Sequence, residues 1–188
     1  MGLSASLQQR DVDDIAGQSG LRPEEVRALF RRFVSLDKAG QGLLFKRDLL
    51  MIPELAANPL VDAILNALFG LREEDDSCNF VEFANALAVL SGRASLDQKV
   101  ALLFRVFAPA STFPPAIGPE QLRLVLHQMV GGELPPDEPE LLDAIVKATL
   151  AGRESITEAQ FRATLVAGRT GKGIAEALSL QLIEAPDR

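Results

Sequence analysis

The chain nearly repeats itself. Leu29-Phe30-Arg31-Arg32-Phe33 returns as Leu103-Phe104-Arg105-Val106-Phe107. Val26, Leu29, Phe30 and Phe33 fall at i, i+3, i+4 and i+7, and Val100, Leu103, Phe104 and Phe107 do the same. That spacing sets apolar side chains on one face of a helix. Further stripes follow each copy: Val61, Ile64, Leu65, Leu68 and then Phe80, Phe83, Leu87, Leu90 in the first half; Leu122, Val125, Leu126, Met129, then Leu142, Ile145, Val146, then Phe161 and Leu165 in the second. Pro23 followed by Glu24 and Glu25, and Pro119 followed by Glu120, are helix starts, with acids in the first turn favoured by the helix dipole. The pattern predicts an all-α protein of two lobes, each made of two helix–loop–helix units. Its divisions fall at an N-terminal arm 1–22, a first lobe 23–91, a linker 92–98, a second lobe 99–170 and a tail 171–188.

Composition removes most alternatives. The 188 residues carry 19 Lys+Arg against 26 Asp+Glu, a net charge of -7, which disfavours a nucleic-acid binder. A single cysteine, Cys78, forms no internal disulfide, and a single histidine, His127, leaves no multi-histidine metal site. No apolar run is long enough to span a bilayer, and the uncharged stretch Val106–Pro119 is broken by Pro109, Pro114, Pro115 and Pro119. The N-terminus lacks the charged and apolar blocks of a secretory signal, so a cytoplasmic protein is expected. Paired catalytic acids, a phosphate-binding glycine loop and a nucleophile motif are all missing from the sequence, so no enzyme is expected.

Tandem helix–loop–helix units suggest EF-hands, whose calcium loop needs oxygen ligands at positions 1, 3, 5 and 9, Gly at 6, an apolar residue at 8 and a bidentate Glu at 12. Loop one, 37–48, keeps Asp37 and Gly42, but Ala39 and Phe45 stand at positions 3 and 9, and Asp48 at 12 is short for bidentate reach. Loop two, 71–82, opens on Leu71 and puts Asp76 where Gly belongs. It retains Glu73, Asp75, Asn79 and Glu82 as residual metal candidates. Loop three, 108–121, is two residues too long and has no acid before Glu120; loop four, 149–160, has Arg153 at position 5, where its charge would repel the ion. The position-8 residues Leu44, Cys78, Ile117 and Ile156 persist and are expected to pair across loops in short ladders. High-affinity calcium binding is not expected, and no cofactor is.

Residues beyond the loops carry a family resemblance. Met1-Gly2-Leu3-Ser4-Ala5-Ser6, Leu29 through Lys38, Ile52-Pro53-Glu54-Leu55-Ala56-Ala57-Asn58-Pro59-Leu60-Val61, Asn79-Phe80-Val81-Glu82-Phe83 and Val125 through Gly132 resemble the calcineurin B branch of EF-hand proteins. The stretch from Ser4 to Lys38 is similar to the calcineurin B homologous proteins, and calcium- and integrin-binding proteins are a more distant likeness. The resemblance implies a myristoylated cytosolic regulatory subunit that clamps an apolar helix of a larger partner: the catalytic chain of calcineurin or the tail of a sodium/proton exchanger. Gly2 is then the lipidation site, its Met-Gly-x-x-x-Ser context fitting the pattern. One such chain attaches only marginally to a membrane.

The expected function is calcium-independent clamping of an amphipathic helix in an apolar groove. Leu102, Val106, Leu122, Leu126, Met129 and Leu165 are the groove candidates. A permanent structural subunit of a motor, ciliary or membrane assembly is the rival reading. A calcineurin regulatory subunit with residual metal binding is another. Ile174, Leu178 and Leu182 in the tail share a helical face or, as Leu178, Leu180 and Leu182, a strand face, and the sequence leaves both open.

Overall fold

The computed structural model describes residues 7–71, 73, 76–108, 114–130 and 138–167. The first unit runs from helix α2 (Pro23–Leu36) through strand β1 (Leu43–Phe45) to the short helices α3 (Lys46–Leu49) and α4 (Pro53–Ala56). The break between the last two falls at Ile52, which takes an extended conformation with φ -84° and ψ 111°. Pro53 forces it, because the proline ring excludes helical geometry in the residue before it. Asn58 then accepts a hydrogen bond from the Leu60 amide at 2.9 Å, closing the turn into α5 (Val61–Phe69). Strand β2 (Ser77–Asn79) and helix α6 (Phe80–Ala88) complete the lobe.

Within the segment 1–22, read from sequence as an arm, residues Gln9–Ser19 form helix α1. It packs on α2 and α6 and buries Val12 and Ile15, while Leu21 is buried just beyond. Gly20, with φ 73°, ends it in the left-handed region that suits glycine, its amide donating to the Ala16 carbonyl.

The second lobe repeats the plan with α7 (Leu96–Phe107), β3 (Ala116–Ile117), α8 (Pro119–Val130), α9 (Glu138–Leu150), β4 (Ile156–Thr157) and α10 (Glu158–Ala167). Helix α7 thus begins inside the stretch 92–98 read as a linker, where Ser95 accepts from the Gln98 amide and Gln98 from the Ser95 amide, at 3.2 and 2.8 Å. The expected ladders form: Leu44 faces Cys78 and Ile117 faces Ile156, each in an antiparallel pair of strands.

The repeat is real, but the structure moves its register by one helical turn. Phe33 and Phe104 each lie three residues before the end of their helix, Leu36 and Phe107. Phe33 meets Phe83 edge-on with ring centroids 5.5 Å apart, and Phe104 meets Phe161 at 5.8 Å. Phe33 and Phe104 are therefore the equivalent pair, whereas matching the five-residue strings equated Phe30 with Phe104. The similar letters mislead because positions one turn apart on a helix share a face.

The two cores are unequal. The first gathers Val26, Leu29, Phe33, Leu44, Leu49, Leu65 and Phe83, among others, with Phe69 stacked on Phe83 at 5.9 Å. The second has Phe104, Ile117, Val146, Leu150 and Ile156 at its centre. Helix α7 serves both: it packs on α5 and sends Leu102 into the first core, while Phe104 enters the second.

Candidate functional site

The loops show what became of the metal ligands. In loop one, Asp37 accepts from the Gln41 amide through Oδ1 at 3.1 Å and from the Gly42 amide through Oδ2 at 2.6 Å. Gly40 and Gly42 have φ of 64° and 74°, so the loop turns back over that carboxylate. Position 12 behaves alike in three loops. Asp48 accepts from the Phe45 amide at 2.9 Å, Glu82 from the Asn79 amide at 2.8 Å, and Gln160 from the Thr157 amide at 2.9 Å. Asn79 and Thr157 reciprocate, accepting from the Glu82 and Gln160 amides at 3.1 and 3.4 Å. These are capping boxes, which satisfy amides that a helix start leaves without intrahelical partners.

The donor set of loops one and four does not fit a calcium ion. Ala39 and Phe45 bring no side-chain oxygen to loop one, and Ala151, Arg153 and an uncharged Gln160 stand in loop four. Loop four also turns differently, with Ala151 and Gly152 at φ 49° and 82°. Of the residual candidates in loop two, Asn79 and Glu82 are engaged as caps, Glu73 is exposed, and Asp75 lies outside the described residues. Asp76 accepts from the Glu73 amide at 2.8 Å. Among the described residues, no group of three or more His, Cys, Asp or Glu is arranged to hold a metal ion.

Cys78 packs wholly buried in the first ladder. Burial, and secondarily the charge of Glu82, pushes its thiol up to about 12, so it stays protonated and inert.

The groove candidates separate. Leu102 is 3% exposed within the first core, and Val106 is buried. Leu122 and Leu126 are half-buried against the second core, together with Phe107 and Phe161. The side chains of Met129 and Leu165, and all of Gly2 and the tail 171–188, lie outside the described residues. Sequence reading missed Phe107 as a surface-lining residue, because its apolar stripe gives no sign that the lobe beneath it is thin. In the first lobe, Leu49, Ile52, Leu55, Leu68, Phe69, Phe83, Leu87 and Leu90 close around a crevice of only about 10 Å³, no more than one water. The half-covered apolar surface is in the second lobe.

Paired helix–loop–helix units, each pair joined through its loops by a two-residue or three-residue ladder, define an all-α protein of EF-hand type. No protein-family model matches the chain. Calcineurin B of Naegleria gruberi is 32% identical over 164 residues, covering 86% of this chain and 90% of that protein. Calcineurin B type 1 of Dictyostelium discoideum is 31% identical over 147 residues, 78% of each chain. Calcineurin B of Schizosaccharomyces pombe is 30% identical over 145 residues, 76% of this chain and 78% of its own. The chain belongs to the calcineurin B family.

Proposed function

We propose that this chain is a non-catalytic regulatory or scaffolding subunit that clamps an amphipathic helix of a larger protein and does not use calcium as its trigger. The observation that carries the reading is the use of position 12: Asp48, Glu82 and Gln160 each accept from the amide of position 9, and in loops one and four that residue lacks the reach or the charge to chelate an ion. A lobe without an ion to open it needs another driver. Phe107, Leu122, Leu126 and Phe161, half-covered beside a small core, supply one, since a target helix would remove them from water. Each apolar side chain the target fully buries contributes about 1.5–3 kcal/mol before ordering costs. The net charge of -7 favours a target with basic flanks.

The relatives' names make the catalytic chain of calcineurin the first partner to try, with an exchanger tail next. Acylation of Gly2 and a cytoplasmic location, peripheral to a membrane or within a larger assembly, belong to the same proposal. The test is recovery of the tagged full chain from native extract in excess calcium and, in parallel, in chelator. One dominant partner in equal amount under both conditions is expected. A partner recovered only with calcium would overturn calcium independence.

A further inference from the structure

A polar cleft of about 500 Å³ lies away from both ladders, between the end of α1, the end of α6 and the start of α7. Its volume is that of a small-ligand site. Gly17 through Gly20 form one wall; Asn85, Ser91, Arg93 and Gln98 bring side chains to the others. Three features bear on what it holds.

Arg93 has no carboxylate within ion-pair distance among the described residues, although it stands close enough to Glu25 for its charge to act there. Glu25 itself is engaged by Arg22 at 2.9 Å. Ser91 is more than nine-tenths buried and lines the cleft. Its Oγ accepts from the Arg93 amide at 3.3 Å, and among the described residues its hydroxyl proton is given to no acceptor. The carbonyls in the last turn of α1 face the cleft wall without continuing helix to bond, apart from that of Ala16, which takes the Gly20 amide. One part of the cleft therefore offers donors and a positive charge, and another offers carbonyl acceptors.

We infer that this cleft binds an acidic peptide segment, Arg93 and the Ser91 hydroxyl taking a carboxylate while the carbonyls at the end of α1 take neighbouring peptide amides. A carboxylate alone would meet the negative end of the α1 dipole unfavourably. A ligand that pairs its carboxylate with N–H donors satisfies both walls, and an acidic residue within a peptide is such a ligand. Guanidinium and carboxylate can join by two parallel hydrogen bonds, which fixes the ligand's orientation as well as adding affinity.

The test is a titration of the isotope-labelled full chain, followed by amide resonances, with acetyl-Gly-Glu-Gly-amide. The expected result is a saturable shift of the Gly20, Ser91, Arg93 and Ala94 amides. The Gln counterpart of the peptide should bind at least about tenfold more weakly, as should the Glu peptide to Arg93→Gln. Arg93 is exposed, so this variant should keep the wild-type melting temperature, which is measured alongside. Free glutamate is the third arm. Binding weaker than the peptide's supports a peptide ligand, whereas equal or tighter binding overturns that assignment in favour of a small acid. Shifts that fail to saturate at these amides, or an unchanged affinity in a folded Arg93→Gln, would overturn the site itself.

Discussion

Asn79 and Glu82 hold each other's backbone: the Glu82 carboxylate takes the Asn79 amide at 2.8 Å, and the Asn79 side chain takes the Glu82 amide at 3.1 Å. The residue that would be the best calcium ligand of the molecule thus secures the start of α6. Asn79→Ala should lower stability by about 1 kcal/mol in denaturant unfolding, the usual cost of a lost cap. Calorimetry should show no submicromolar calcium binding in either wild type or variant. Such binding in the wild type would mean that loop two exchanges its cap for an ion.

Cys78 gives a chemical readout of the first ladder. With the thiol pushed up to about 12 and wholly buried, a thiol reagent at pH 8 should leave the native chain unmodified and label it only when it unfolds. Labelling at the same rate in native and denatured protein would show that the ladder opens. Cys78→Ser puts a hydroxyl opposite Leu44, at a cost of about 1–3 kcal/mol if it finds no partner.

Glu25 should make stability depend on acidity. Burial acts to raise its pKa, but hydrogen bonds from the Arg22 side chain and amide, with the charges of Arg22 and Arg93, bring it net below the ordinary value. A folded pKa below the unfolded one, about 4.3, stabilises fully above that pH and is lost as pH falls through the folded value. Glu25→Gln should therefore be less stable than wild type at pH 7 by about 0.5–1 kcal/mol. The gap should close in unfolding curves taken at successively lower pH, starting below about 4.3. A gap that stayed constant into strong acid would contradict the assignment.

Leu102 belongs to the second repeat by sequence and to the first core by packing. Leu102→Ala should cost about 2–5 kcal/mol. Hydrogen exchange should then quicken in α5 of the first lobe, against which α7 packs, more than in β3 and β4. Loss of protection confined to the second lobe would refute the shared packing.

What could be read in advance was periodic or positional. Leu44, Cys78, Ile117 and Ile156 declared themselves through their place in a loop template, and all four lie in the expected pairs. The oxygen deficit of loops one and four was equally plain, being a matter of residue type. Two kinds of information were not in the letters. Helix α1 buries only Val12 and Ile15 within its span, too few to announce an amphipathic face beside its many polar residues. The sides of α7 are all apolar enough that periodicity could not say which lobe each one serves, and so Leu102 was grouped with Leu122 and Leu126. The capping work of Asp48 and Gln160 was also hidden, because an Asp or Gln at that spacing reads first as a failed ligand.

The double service of α7 has a consequence for how the molecule comes apart. A cut in the linker region just before it would leave the first repeat without Leu102, a piece of its own interior, and the second with an apolar face turned to water. The two halves are thus not separable modules: they should melt in one cooperative transition, and strain imposed on either end has a straight helical strut through which to reach the other.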